Sequence, residues 1–246
     1  MGSRKATHYG THVCKELIAG LKGTEVVIVS GLALGIDSIA HEAALDAGLK
    51  TIAVLGSGLD WSAVYPRSHV NLAKEIIAAG GALISEQKNE KHNPHQYNFP
   101  ERNRIMAGLS HATLVIEASI KSGTLITARL ALDYNRDVFA VPGSIFSNQS
   151  DGPHMLIKNG ATPIASSRDI LDALHINSNS FSQKNRMLED CTPFERKIYE
   201  TLAEPMSRTE LLKKVNCDVK EMNVALSLLE MKGFINESEG VLGHYS

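Results

Sequence analysis

Glu25-Val-Val-Ile-Val-Ser-Gly-Leu-Ala-Leu-Gly-Ile-Asp37, EVVIVSGLALGID, passes from a β-branched apolar run through a glycine turn into a helical pattern near Ser38–Ala47. The same order recurs through residues 1–175. TIAVL (51–55) meets GSGLD, and GALIS (81–85) meets EQK. TLVIEA (113–118) meets SIKSGT before a helix near Leu125–Tyr134, and DVFAV (137–141) meets PGS. Runs that are apolar on both faces and alternate with helices predict an α/β domain whose parallel sheet is covered on both sides. The opening MGSRKATHYG reads as the loop after a first strand, yet no strand precedes it. An upstream strand, a trimmed start and a disordered start are all open on the residues alone.

The chain has 246 residues, enough for one large domain or a medium one with a small companion. Its apolar run VVIVSGLALGI is too short for a membrane span and is broken by glycine, and no secretory signal is visible. Cys14, Cys191 and Cys217 are isolated, form neither a metal spacing nor a disulfide framework, and fit a reducing cytoplasm. Net charge is −2, and residues 1–175 hold 16 Lys and Arg against 16 Asp and Glu. With no global basic field, any nucleic-acid site has to come from a local cluster.

Residues 175–191 are polar, with scattered Ser and Asn, and read as a linker. Beyond it, Thr192-Pro-Phe-Glu195, Ser207-Arg-Thr-Glu210 and Asp218-Val-Lys-Glu221 each match the N-cap-x-x-Glu pattern of a capping box. Pro193 stands at the first helical position, where its missing N–H costs nothing. Val219, Met222, Leu226 and Leu229 give the third helix an apolar face, and KGFINESEGVLGHY reads as a hairpin turning near Glu239-Gly240. Three short helices and a hairpin over residues 192–246 form a winged-helix pattern. The unit is acidic, with 7 Lys and Arg in residues 190–246 against 10 Asp and Glu, and its third helix offers only Lys220 and Lys232. A protein-contact or structural role therefore suits it better than DNA reading.

In a parallel sheet the strand-to-helix turns gather on the carboxyl edge, where ligands bind. Ser30-Gly31 with Gly35, Gly56-Ser57-Gly58, Ser122-Gly123-Thr124 and Pro142-Gly143 all fall on that predicted rim. Four glycine turns on one edge favour a phosphate site, because glycine admits close backbone approach and helix N-termini present free N–H groups. The plainer reading is tight turns alone. The chain carries no G-x-x-x-x-G-K-[ST] and no G-x-G-x-x-G, and VLGSG supplies no acid for a ribose, so P-loop and dinucleotide binding are disfavoured. No nucleophile elbow is present. His92 and His95 have metal-like spacing, but Pro94 breaks any helix there and exposed loop histidines are the better reading. No metal or cofactor is expected.

The second informative stretch is Phe99-Pro-Glu-Arg-Asn-Arg-Ile-Met-Ala-Gly-Leu-Ser110. Arg102 and Arg104 either pair with an internal acid, for which Glu86, Glu101 and Glu117 are candidates, or clamp phosphate oxygens through the guanidinium fork. In the second case Phe99 offers a stacking face of the kind single-strand binders use, and Asn103 bonds a base edge or holds the loop.

These segments, together with YP, ISE, VIEA, SGTLITA and LIKNGA, occur in the order seen in the DNA-processing protein A (DprA/Smf) family, which residues 2–174 resemble almost throughout. The resemblance implies an extended Rossmann-like fold, with residues 1–174 as the DNA-binding domain, and a small winged-helix domain at the C-terminal end. It implies a non-catalytic, cytoplasmic, dimeric protein without a membrane partner. Such a protein binds and protects incoming single-stranded DNA and helps load the RecA recombinase during natural transformation. By motif, the DNA pocket involves Ser30, Gly31, Gly35, Phe99, Arg102, Asn103, Arg104, Ser122, Gly123 and Thr124, with Gly56 and Gly58 on the same rim. Leu156 and Ile157 are expected near the dimer contact. Two positions depart from the family: Leu34 stands where a basic residue is frequent, and His154 where Asn is frequent.

The competing reading is a nucleotide-processing enzyme. Rossmann-like phosphoribohydrolases carry a Gly-Gly-x-Gly-Thr turn followed by a catalytic Glu. SGTLITARLALD has no Glu after its Gly-Thr pair, which leaves Glu86 and Glu117 as substitutes.

Overall fold

The structure is a computed structural model and describes residues 1–87, 98–176, 191–202, 205–215, 217–238 and 240–244. His92, His95, Glu239 and nearly all of the expected linker lie outside the described residues. The chain divides into two compact units, Met1–Ser178 and Asn179–Ser246.

In the first unit the β-branched runs become short strands: β1 (Ile28–Ser30), β2 (Thr51–Val54), β3 (Ala82–Ile84), β4 (Ala112–Val115), β5 (Asp137–Ala140) and β6 (Thr162–Pro163). Helices α1 (His8–Ala19), α2 (Ile36–Asp46), α3 (Val70–Ala78), α4 (Asn98–Leu109), α5 (Thr124–Asp133), α6 (Asp151–Lys158) and α7 (Ser167–Ala173) alternate with them. Every strand pair is parallel. The one sheet expected from sequence is instead two three-stranded sheets, β1-β2-β3 and β4-β5-β6.

Residues 1–3 run between the carboxyl end of β4 and the start of α2, the helix that follows β1. The Met1 ammonium donates to Leu114 O at 2.9 Å, Ile116 N donates to Met1 O at 3.0 Å, and Gly2 makes a parallel bridge with Glu117. On the other side Ile36 N donates to Ser3 O at 3.2 Å. Strand order therefore runs outward from β1 to β3 and restarts at β4. That reversal is a topological switch point, where sheets of this kind bind ligands. A core cluster containing Leu17, Ile18, Ile36, Ala44, Ile116, Phe139, Val141 and Ile164 packs α1, α2 and α7 against both sheets. Glu117, at the end of β4, is buried and holds the start of α1. It accepts Thr7 N at 3.0 Å and the Thr7 hydroxyl at 2.7 Å.

The second unit contains α8 (Pro193–Thr201), β7 (Met206–Ser207), α9 (Arg208–Val215), α10 (Val219–Met231), β8 (Ile235–Ser238) and β9 (Val241–His244). Its sheet is antiparallel in the order β7-β9-β8. A separate core holds Ile198, Leu202, Leu211, Leu226, Leu229, Ile235 and Leu242. The Thr192–Glu195 capping box forms, and Ser207 and Glu210 exchange the same reciprocal bonds. Asp218 stands at the α10 N-cap, yet its carboxylate makes no capping bond. Val219, expected on the apolar face, is 49% exposed, because the buried stripe of α10 runs through Met222, Ala225, Leu226 and Leu229.

Candidate nucleic-acid interface

The carboxyl ends of β1, β2 and β4 bring the predicted rim together around residues 2–4 and the first turns of α4. Arg102 and Arg104 both lie on α4 but do opposite things. Residues two apart on a helix are about 200° apart around its axis. Arg102 points inward and is 6% exposed. Its guanidinium donates to Gly31 O at 2.7 Å and to Val54 O, and its Nε donates to Asn103 Oδ1 at 3.3 Å. It thereby ties the ends of β1 and β2 to α4. Burial lowers its pKa from the ordinary arginine value; Asp37 opposes that shift and Arg4 adds to it. Arg104 points outward and pairs with Glu86, both side chains being about half exposed at 52% and 48%. Of the other candidate acids, Glu117 serves α1, and Glu101 is exposed in the first turn of α4.

Gly31, Gly35 and Gly56 on the rim are each required by close packing. A Cβ at Gly31 would stand 2.5 Å from Asp37 Oδ2 and 2.6 Å from Arg102 Nη2. At Gly56 it would stand 2.8 Å from the Phe99 ring. The tight-turn reading is therefore incomplete, since these positions are bare to admit Arg102 and Phe99. Gly35 lies under the passing backbone of Ser3 and Arg4, whereas a Cβ at Gly123 would meet nothing within 4 Å. Gly58 and Ser57 are buried, as is Ser30 at 1% exposure. The Ser30 hydroxyl has no partner among the described residues. Ser122 and Thr124 brace the start of α5: the Ser122 hydroxyl donates to Thr124 Oγ1 at 3.0 Å, and the Thr124 hydroxyl donates to Gly2 O at 3.2 Å.

Phe99 is the partly exposed centre of the rim. Its ring packs against Tyr65 at 5.8 Å between centroids, and the Arg4 guanidinium lies over it at 5.6 Å. Arg4 is exposed, and its charge was not singled out from the sequence. The signal was present in GSRKATHYG, once that segment is read as a rim turn. Leu34 is 51% exposed and leaves its part of the rim uncharged. His154 Nε2 lies 3.1 Å from Gly143 O and braces the turn after β5.

Leu156, expected at a dimer contact, is 7% exposed and belongs to the core between α5, α6 and the second sheet, and Ile157 packs against that core. The exposed apolar side chains nearby are Ile120, Ile126 and Leu132, and with Met155 they line a groove of about 800 Å³. Among the described residues no group of three or more His, Cys, Asp or Glu is placed to hold a metal ion, and no helix is long and apolar enough to cross a membrane.

A family model described as DNA recombination-mediator protein A matches residues 1–175. The chain is 39% identical over 243 residues to protein Smf of Escherichia coli, covering 96% of this chain and 64% of that protein. It resembles the X-ray structure of DNA processing protein A from Streptococcus pneumoniae with a TM-score of 0.64 at 44% identity, over 70% of this chain and 59% of that one. It also resembles DNA processing protein A from Helicobacter pylori, a structure described for its single-stranded DNA binding mode. There the TM-score is 0.63 at 34% identity, over 71% and 77% of the two chains. The chain spans 64%, 59% and 57% of the length of three of the curated relatives it matches.

Proposed function

The chain belongs to the DNA recombination-mediator protein A family, and from that premise we propose that it binds single-stranded DNA, without catalysis, along the carboxyl rim of its two parallel sheets. The observation that carries this reading is the Phe99 ring, partly exposed between Tyr65 and Arg4 at the switch point. A base stacks on such a ring, and the neighbouring guanidinium takes the phosphate. Arg104 is the second phosphate contact. Its exposed pairing with Glu86 is worth roughly 0–1 kcal/mol, so a phosphate oxygen displaces the carboxylate at little cost. Gly123, where a Cβ would meet nothing within 4 Å, leaves room for a nucleotide beside Ser122 and Thr124. Arg102, Asn103, Gly31, Gly35, Gly56 and Gly58 shape this surface from beneath, with buried Ser30 beside them.

Protection of incoming single strands in the cytoplasm and loading of RecA belong to the same reading, as does a homodimer through the groove lined by Ile120, Ile126, Leu132 and Met155. Residues 192–246 act as a winged-helix unit that contacts protein rather than DNA. Support for that role is the excess of acid over base in the unit.

The test is competition for a labelled single-stranded oligonucleotide, read by fluorescence anisotropy. Unlabelled single strands are expected to compete and duplex of equal length to compete weakly. Failure of single strands, together with displacement by a nucleoside monophosphate, overturns the reading in favour of a nucleotide enzyme.

A further inference from the structure

The loop between β2 and α3 carries two exposed aromatic rings, Tyr65, which touches Phe99, and Trp61. Tyr65 is 49% exposed and Trp61 is 43% exposed. The loop beneath them is braced at many points. Val64 is fully buried, Ala63 N and Val64 N donate to Asp60 O at 2.7 and 3.0 Å, and Tyr65 N donates to Ser57 Oγ at 3.2 Å. Ser85 in turn donates its hydroxyl to Ser57 O at 2.6 Å, which fixes this turn to the end of β3. Arg67 donates to the carbonyl of Trp61 itself, and Lys74 of α3 places its ammonium 5.6 Å from the centre of the indole ring. One braced loop thus carries Tyr65, in contact with Phe99 and its neighbour Arg4, and Trp61, with Arg67 and Lys74 beside it.

We infer that Tyr65 and Trp61 form a second base-stacking subsite for the same single strand, continuing the path from Phe99 toward α3, with Lys74 and Arg67 facing its phosphates. The inference rests on the reading of the rim given above and extends it. The contact of Tyr65 with Phe99 makes the two subsites continuous. Exposed aromatic faces interleaved with cations are what a sequence-tolerant strand path requires, because every base has a π face and every nucleotide a phosphate. Braced rings also lose little freedom when a base covers them.

Trp61 is the one tryptophan of the chain, so the subsite reports on itself. Oligothymidylates of increasing length are titrated into the full chain. Binding is followed by anisotropy of the oligonucleotide and by tryptophan fluorescence. The expected result is quenching that saturates together with the anisotropy signal. Trp61→Ala is expected to weaken binding of long oligonucleotides by roughly 5- to 150-fold, the range for one stacked base, whereas Trp61→Phe keeps most of the affinity. Thermal melting of both variants separates this loss from misfolding. Binding by the wild-type chain without any change in tryptophan emission, and with Trp61→Ala as tight as wild type, overturns the second subsite and leaves the rim intact. No binding by the wild-type chain overturns the rim and the second subsite together.

Discussion

At the scale of single residues, two arginines that look equivalent in sequence have different work. Arg102 fills the space that a side chain at Gly31 would need and satisfies two strand-end carbonyls. Its removal leaves those carbonyls without a donor and buried Asp37 without a nearby opposing charge, so a binding loss in Arg102→Ala reports on folding as well as on contact. Arg104 and its exposed partner are the clean probe. Glu86→Gln is expected to tighten single-strand binding by about two- to fivefold, because it removes a competing carboxylate, and anisotropy measures this directly.

His41 gives a second prediction. It is fully buried, and the Thr51 hydroxyl bonded to it at 2.7 Å already donates to Ile28 O at 2.8 Å. The imidazole therefore donates from Nδ1, and burial disfavours its charged form. Burial lowers its pKa from 6.5 to about 4, with Asp37 opposing and His69 assisting. Below pH 6.5 the unfolded chain takes up a proton that the folded one refuses. Stability is thus full above that pH and falls as pH drops toward 4, by on the order of 3 kcal/mol. Urea unfolding at pH 7 and pH 4.5 is expected to show this slope, and His41→Gln to flatten it.

At the scale of elements, capping decides where helices begin. Thr192 and Glu195 close a reciprocal box at the start of α8, and Lys232 donates to Glu195 at 2.8 Å from beyond the end of α10. That bond holds the Glu195 carboxyl below its usual range. Thr192→Ala is expected to cost the second unit about 1 kcal/mol in chemical unfolding and to leave DNA affinity unchanged. Element type and order were largely legible in the sequence, because β-branched runs ending in glycine and N-cap-x-x-Glu patterns are local signals. What local patterns could not supply was direction. The spacing of Arg102 and Arg104 reads as a pair until α4 is seen to start at Asn98, which places them on opposite faces. Leu156 reads as open to a partner, and α6 turns most of its side chain into the core at the edge of the groove. Arg4 becomes a rim residue only because residues 3 and 4 cross above Gly35, a contact set by tertiary packing.

At the scale of the whole molecule, the two units have separate hydrophobic cores. Removing residues 190–246 is therefore expected to leave single-strand affinity within about threefold of the full chain, a shift under ~0.7 kcal/mol. A loss of more than a hundredfold in anisotropy would make the second unit a DNA reader. Net charge of −2 gives the chain no long-range attraction for nucleic acid, so affinity has to arise from a few rim cations. Counting those cations is the most direct test of the rim as a single-strand site. The measurement is the dependence of binding on salt, compared between wild type and the Arg4→Ala, Arg104→Ala double variant, whose two positions are surface ones. Each phosphate contact contributes about 0.7 to the slope of log affinity against log salt on a single strand. The predicted result is salt-sensitive binding by wild type and a slope shallower by about 1.4 in the double variant. An unchanged slope and affinity in that variant would contradict the assignment of the strand to this rim.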